Sequence, residues 1–175
     1  MSTNVQDLAQ SPAPSVAQAA QADHAVVHIA TLASLADRVG QHLATSAWVS
    51  VDQQRINLFA EATGDHQWIH VDAQRAAAGP FGSTIAHGFL TLSLLPELAE
   101  KAMVVDDVRM GINYGLNRVR FPAPVPVDSR LRGHVTLQAY ELIPGGAQLT
   151  MEITIEREGS DKPVCVAETV SRRFT

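Results

Sequence analysis

Apolar residues are spaced in two different ways along this chain. Between Ala86 and Ala102 they crowd nearly every position, with Phe89, Leu90, Leu92, Leu94, Leu95, Leu98 and Ala99 in close succession. That is the pattern of a helix buried on almost all sides. Ser83 or Thr84 is placed to cap its start, Pro96 predicts a kink in its middle, and fraying is expected near Val105, ahead of the loop at Asp106-Asp107. Farther on the period drops to two. Leu131, Gly133, Val135, Leu137 and Ala139 alternate with Arg130, Arg132, His134, Thr136 and Gln138, and Leu149, Met151, Ile153 and Ile155 alternate with polar partners. Both runs read as half-buried strands. They are joined by a turn at Pro144-Gly145-Gly146, and a second turn over 159–163 leads into a last strand, 164–174. A further strand over 117–121 stops at Pro122, Pro124 and Pro126.

Upstream, Leu32, Leu35, Val39 and Leu43 have helical spacing, with Gly40 as an early stop, and residues 47–51 are short, apolar and β-branched like a strand. Asp52 caps a helix carrying Ile56, Phe59, Ala60 and Thr63, and Gly64 ends it. Asp72 caps one short turn over 73–78, closed by Gly79-Pro80. Residues 1–27 are rich in Ala, Gln, Ser and Pro and read as a disordered tail, leaving one domain over 28–175. A sheet with one apolar face needs a cover, and the apolar helix is the element suited to supply it. The expected fold class is α+β, a curved antiparallel sheet wrapped around one long helix.

Composition narrows the function. The 175 residues are 46% hydrophobic with a net charge of −5, which argues against nucleic acid as a general partner. No stretch is long and apolar enough for a membrane span, and no secretory signal is visible, so a cytoplasmic protein is expected. The single cysteine, Cys165, lies in a strand-like run and reads as a buried, inert thiol. Neither GxGxxG nor GxxxxGK[ST] occurs in a nucleotide-binding context, and HExxH and GxSxG are missing. His66 and His70 are four apart with His87 downstream, but Trp68-Ile69 between them looks like packing, and no metal is expected.

What remains is acid/base chemistry. Asp65 follows the end of one helix and His70 lies five residues on. Gly88 falls in the first turn of the apolar helix, where backbone N–H groups lack internal partners and the dipole is positive. Asp65 and His70 can polarise one water while the Gly88 N–H holds a carbonyl oxygen gaining negative charge, which suits proton transfer beside an activated carbonyl. Taken singly, Asp65 reads first as an ordinary solvated loop acid, and Gly88 reads equally as a residue that only permits close packing.

The run Phe59…Thr63-Gly64-Asp65-His66-Gln67-Trp68-Ile69-His70, then five residues and Ala76, resembles the signature of the MaoC-like (R)-specific enoyl-CoA hydratases. With IAHGFLTLSLL after it and YGLNRVRFPAPVPV later, it is most similar to the nodulation-protein-N-like branch. The resemblance covers about 32–174. It implies the hot dog fold and reversible hydration of trans-2-enoyl thioesters to (R)-3-hydroxyacyl thioesters. It also implies Asp65 and His70 as the catalytic pair and Gly88 as the oxyanion donor. No cofactor is implied beyond the CoA or acyl-carrier-protein thioester of the substrate, and a homodimer is expected, since exposed sheet edges need pairing or cover.

Two departures stand out: Gln67-Trp68 replaces Asn-Pro, and Ala62 replaces a larger aliphatic or Gly. A helix serine that orients the acid in some members aligns with Pro96 here, Ser93 being the nearest hydroxyl. Gln67, Trp68, His87 and Ser93 are therefore candidate substrate-binding residues. Arg118 and Arg120, two apart on one strand, are candidate phosphate anchors, with Arg130 and Arg132 as a second such pair. A thioesterase of the same fold and a non-catalytic acyl-thioester-binding protein are the rival readings.

Overall fold

The computed structural model describes residues 25–175. The expected tail over 1–27 lies almost wholly outside them. Its last residue, Val27, belongs instead to strand β1 (Val27–Ile29).

Two helices near the site are set by local caps. Asp52 accepts a hydrogen bond from the Arg55 N–H at 2.8 Å and starts α1 (Gln53–Thr63). Gly64, at φ 77°, ends it in the left-handed conformation that a residue without Cβ adopts at little cost. Two short helices follow, α2 (Trp68–Val71) and α3 (Ala73–Ala77), the latter capped by Asp72 accepting from the Arg75 N–H.

The central apolar helix is two pieces, α4 (Gly88–Ser93) and α5 (Leu95–Ala102). Pro96 has no N–H to donate to the carbonyl four residues back, so the ladder breaks just before it. The Leu94 N–H turns back to the Thr91 carbonyl, and the helix resumes where the Leu98 N–H reaches the Leu94 carbonyl.

The main sheet is antiparallel and six-stranded. Strands β2 (His42–Thr45), β6 (Ser129–Ile143), β7 (Gly146–Arg157), β8 (Cys165–Phe174) and β5 (Met110–Arg120) stand in that order, and β3 (Val49–Val51) also pairs with β6. Alternation along β6 and β7 turns Leu131, Val135, Leu137, Leu149, Met151, Ile153 and Ile155 into the core. There they meet Leu94, Leu95 and Leu98 of the helix. Gly133 on β6 allows a close approach, since a Cβ there would lie 3.1 Å from the Leu98 Cβ. Cys165 is buried, and burial pushes its thiol up to about 11, so it stays a protonated packing group.

Four expectations are corrected. The helix expected through Leu32 and Leu43 is a short 3₁₀ helix, Leu32–Arg38, followed by β2. Gly40, at φ 83°, turns the chain and its N–H bonds to the Leu137 carbonyl, which starts a strand. Neither Ser83 nor Thr84 caps α4, whose N-cap is His87. The central helix is not buried all round, since Phe89 is 70% exposed. It also does not fray toward Val105, because Met103–Val105 forms β4, paired parallel to β1. Among the described residues no helix is long and apolar enough to cross a membrane.

Candidate active site

His70 is held from three sides. Its ring Nδ1 lies 2.7 Å from the Ile85 carbonyl, which can only accept, so Nδ1 carries the proton and Nε2 keeps its lone pair. The Ile85 N–H bonds in turn to the Ile69 carbonyl at 3.0 Å. From α1, the Gln53 side-chain amide donates to the His70 carbonyl at 2.8 Å, while the Thr84 hydroxyl donates to the Gln53 oxygen. The ring is buried. Burial is the main cause that lowers its pKa below the ordinary 6.5, opposed by the Ile85 hydrogen bond, and the Asp65 and His87 charges act more weakly in opposite senses. His70 is thus a neutral base with one free nitrogen.

Asp65 sits directly after the Gly64 cap and is exposed. One oxygen of its carboxylate and one ring nitrogen each of His70 and His87 lie within 4.8 Å of one another. His87 is almost fully buried; its Nε2 donates to the Asp65 main-chain carbonyl at 2.9 Å, and its ring stacks on His70 at 3.8 Å between centroids, 26° from parallel. The Phe59 ring packs on His87 at 5.0 Å.

Among the described residues, Asp65, His70 and His87 are the groups that could approach a metal ion. Imidazole lone pairs lie in the ring planes, however, and the planes of two stacked rings do not meet close to their nitrogens. The arrangement presents bases side by side rather than converging ligands. His66 stands apart, 3.8 Å from Glu61.

Gly88 opens α4, and with His70, Phe81, Ile85, Thr91 and Phe121 it lines a cavity of about 400 Å³. The Phe121 ring lies 3.1 to 3.3 Å from where a Gly88 Cβ would be, so a side chain at 88 would meet it. The proline-bracketed segment that carries Phe121 is tied to the same place. The Ala86 N–H bonds to the Val125 carbonyl at 2.7 Å, and Ile85 bridges Pro126.

The remaining candidates are dispersed. The Gln67 N–H points at the Asp65 carboxylate over 3.4 Å. Trp68 packs against Gly79, with the Arg75 guanidinium 4.4 Å over its ring, and is not among the residues lining the 400 Å³ cavity. His87 lies behind His70, also outside that lining. Ser93 donates to the Leu90 carbonyl at 2.7 Å and faces a separate groove of about 960 Å³ between the helix and β5. On β5, Arg118 lies 3.7 Å from Glu152, and Arg120 donates to the Val119 carbonyl. Arg130 and Arg132 pair with Glu158 and Glu156 and flank Trp48. Sequence reasoning missed Gln53 and Phe121. Gln53 reads only as a polar first-turn residue, and Phe121 only as the end of a strand.

A MaoC-like domain profile matches residues 34–158. The 3-hydroxyacyl-thioester dehydratase Z of Mycobacterium tuberculosis is 56% identical over 143 residues, which cover 81% of this chain and 95% of that protein. Nodulation protein N of Rhizobium leguminosarum bv. viciae is 46% identical over 83% of this chain and 92% of its own length. Among solved structures, the unliganded R-hydratase PhaJ1 of Pseudomonas aeruginosa superposes with a TM-score of 0.64 at 26% identity, over 78% of this chain and 81% of its own.

Proposed function

The chain belongs to the MaoC-like domain family, and from that premise we propose that it catalyses the reversible hydration of trans-2-enoyl thioesters to (R)-3-hydroxyacyl thioesters. The observation that carries this reading is the His70 ring. Its Nδ1 proton is committed to Ile85, its Nε2 lone pair is free, and it shares a cavity with the Gly88 helix start.

In the hydration direction a water lies between the Asp65 carboxylate and His70 Nε2. The pair takes one proton from that water as its oxygen bonds to C3 of the enoyl group. The C2–C3 π electrons move toward the thioester carbonyl, whose oxygen takes up negative charge at the Gly88 N–H. Collapse of this enolate draws a proton from the pair onto C2, so one water is added and both side chains are restored. Dehydration is the same path reversed. The relative named a 3-hydroxyacyl-thioester dehydratase supports the substrate class. The thioester is carried by CoA or an acyl carrier protein, and no other cofactor takes part.

The functional unit in this reading is a homodimer. Strand β5 is a sheet edge whose Met110, Ile112, Tyr114 and Leu116 are all exposed, and a second copy would cover them. Sedimentation showing a concentration-independent monomer would remove that part of the reading.

The test is crotonyl-CoA with purified protein. Loss of the enoyl-thioester absorbance without free thiol, and a product oxidised only by an (R)-specific 3-hydroxyacyl dehydrogenase, is the expected result. Release of free CoA would make the protein a thioesterase. Binding without either signal would make it an acyl-thioester carrier.

A further inference from the structure

His87 has no part in the proton transfers above, yet it touches each group that takes part. Its Nε2–H donates to the main-chain carbonyl of Asp65, its ring lies flat on His70, and its own carbonyl group is bonded to Gly88. The ring is 2% exposed, and its Nδ1 lone pair is buried without a partner among the described residues. An apolar side chain would fill this space without leaving a buried acceptor unmatched, which is unfavourable. The one bond a histidine makes here that an apolar residue cannot is the one to Asp65.

We infer that His87 is a positioning residue, a strut that fixes the Asp65 turn to the start of α4, so that acid, base and oxyanion donor keep one spacing. Beyond that bond, the turn is held at its two ends, by the Gly64 N–H on the Ala60 carbonyl at 2.8 Å and by the His70 N–H on the Gln67 carbonyl at 2.9 Å. Asp65 to Gln67 are exposed and outside any helix, and the contact from the Gln67 N–H to the Asp65 carboxylate is long, at 3.4 Å. The other side of the site is firmly tied, since His70 is bound to Ile85, Gln53 and the neighbouring backbone. Between the two ends of the turn, the His87 bond is the one among the described residues that holds the Asp65 main chain itself. The fixed tautomer follows: with the proton on Nε2, His87 donates to Asp65 and offers no N–H to compete for the catalytic water. Rigid placement of this kind raises turnover rather than ground-state binding.

This inference rests on the hydratase reading for its kinetic arm only. His87→Leu removes the donor while keeping an apolar side chain of similar bulk, and His87→Gln restores an N–H close to the Nε2 position. With crotonyl-CoA, His87→Leu is expected to lower kcat by roughly 10- to 100-fold with KM within about twofold, as for other displaced catalytic groups. His87→Gln should recover most of that loss, with both variants melting cooperatively. Leu and Gln variants that are equally impaired, or a Leu variant with wild-type kcat, would overturn the strut. Histidine ¹⁵N NMR of the wild-type protein reports independently of turnover. It should show His87 protonated at Nε2 and bare at Nδ1 at neutral pH, and the reverse tautomer would overturn the inference even in an active enzyme. A wild-type protein with the expected His87 tautomer but no hydration would instead count against the hydratase reading alone.

Discussion

The His70 ring and the Ile85 carbonyl, 15 residues apart in sequence, meet at 2.7 Å, and that contact decides which nitrogen of the ring keeps its lone pair. It also joins the acid/base turn to the segment leading into α4, since Ile85 is three residues before Gly88.

The pH dependence follows from the same burial. The folded-state pKa of His70 is lowered from its ordinary value of 6.5. The unfolded chain therefore binds more protons than the folded one just below that value, and stability rises with pH there. The contribution is present above 6.5 and is lost as pH falls through the lowered folded pKa. The acid limb of kcat/KM, which reports the free base, is expected below pH 6.5. A limb at or above the ordinary value, in a profile otherwise unchanged by buffer, would count against His70 as the base.

Asp65→Asn and His70→Ala should each reduce kcat by roughly 10²- to 10⁴-fold, the usual worth of a general acid/base group. In the proposed mechanism both act on one water, so the double variant should lose little more than the worse single variant. Multiplying losses, measured in steady state, would mean that the two groups act in separate steps.

Gly88→Ala sets a Cβ about 3.1 Å from the Phe121 ring, so the ring must move by a few tenths of an ångström. A drop of about tenfold in kcat/KM is expected, equal to ~1.4 kcal/mol of lost transition-state binding. Adding Phe121→Leu should restore part of it. No recovery in the paired variant would show that the methyl group obstructs the thioester itself and not the ring.

Arg118→Ala or Arg120→Ala should raise KM for CoA substrates with little change in kcat, if one of them holds a phosphate at the β5 end of the cavity. The effect should weaken with added salt and shrink for a pantetheine thioester lacking the nucleotide. Arg118 already faces Glu152 at 3.7 Å, an exposed pair worth little in water, so pairing does not prevent it from binding phosphate. Equal losses with both substrates would end the anchor assignment.

Dialysis against a strong chelator should leave turnover unchanged. The stacked His70 and His87 rings place their nitrogens side by side rather than around an ion. Loss of activity reversed by one divalent metal would require a different role for the Asp65, His70 and His87 cluster.

Much of this could be read from the sequence because it is local. Asp52, Gly64 and Asp72 act on the backbone within three or four residues, so the bounds of α1 and α3 follow from residue type alone. Alternation along β6 and β7 shows which side of each strand is buried, since side chains of a strand repeat every two residues. The motif GD-x4-H with IAHG pointed to the family through residues that sit close in the chain.

Tertiary structure decided what depends on neighbours far apart. Leu43 had helical spacing but became a strand, because β6 offered a ladder to a short segment that a helix would leave unpaired. Helix α5 ended at Ala102 because β1 captured Met103–Val105, a pairing between segments more than 70 residues apart. The partners of Gln53, the covering of Gly88 by Phe121, and the placement of His87 behind His70 rather than among the cavity-lining residues are likewise contacts between separate elements. Periodicity reports which side of an element is buried. It does not report which side chain from another element arrives there, and in this protein those arrivals set the tautomer of His70 and the lining of the cavity beside Gly88.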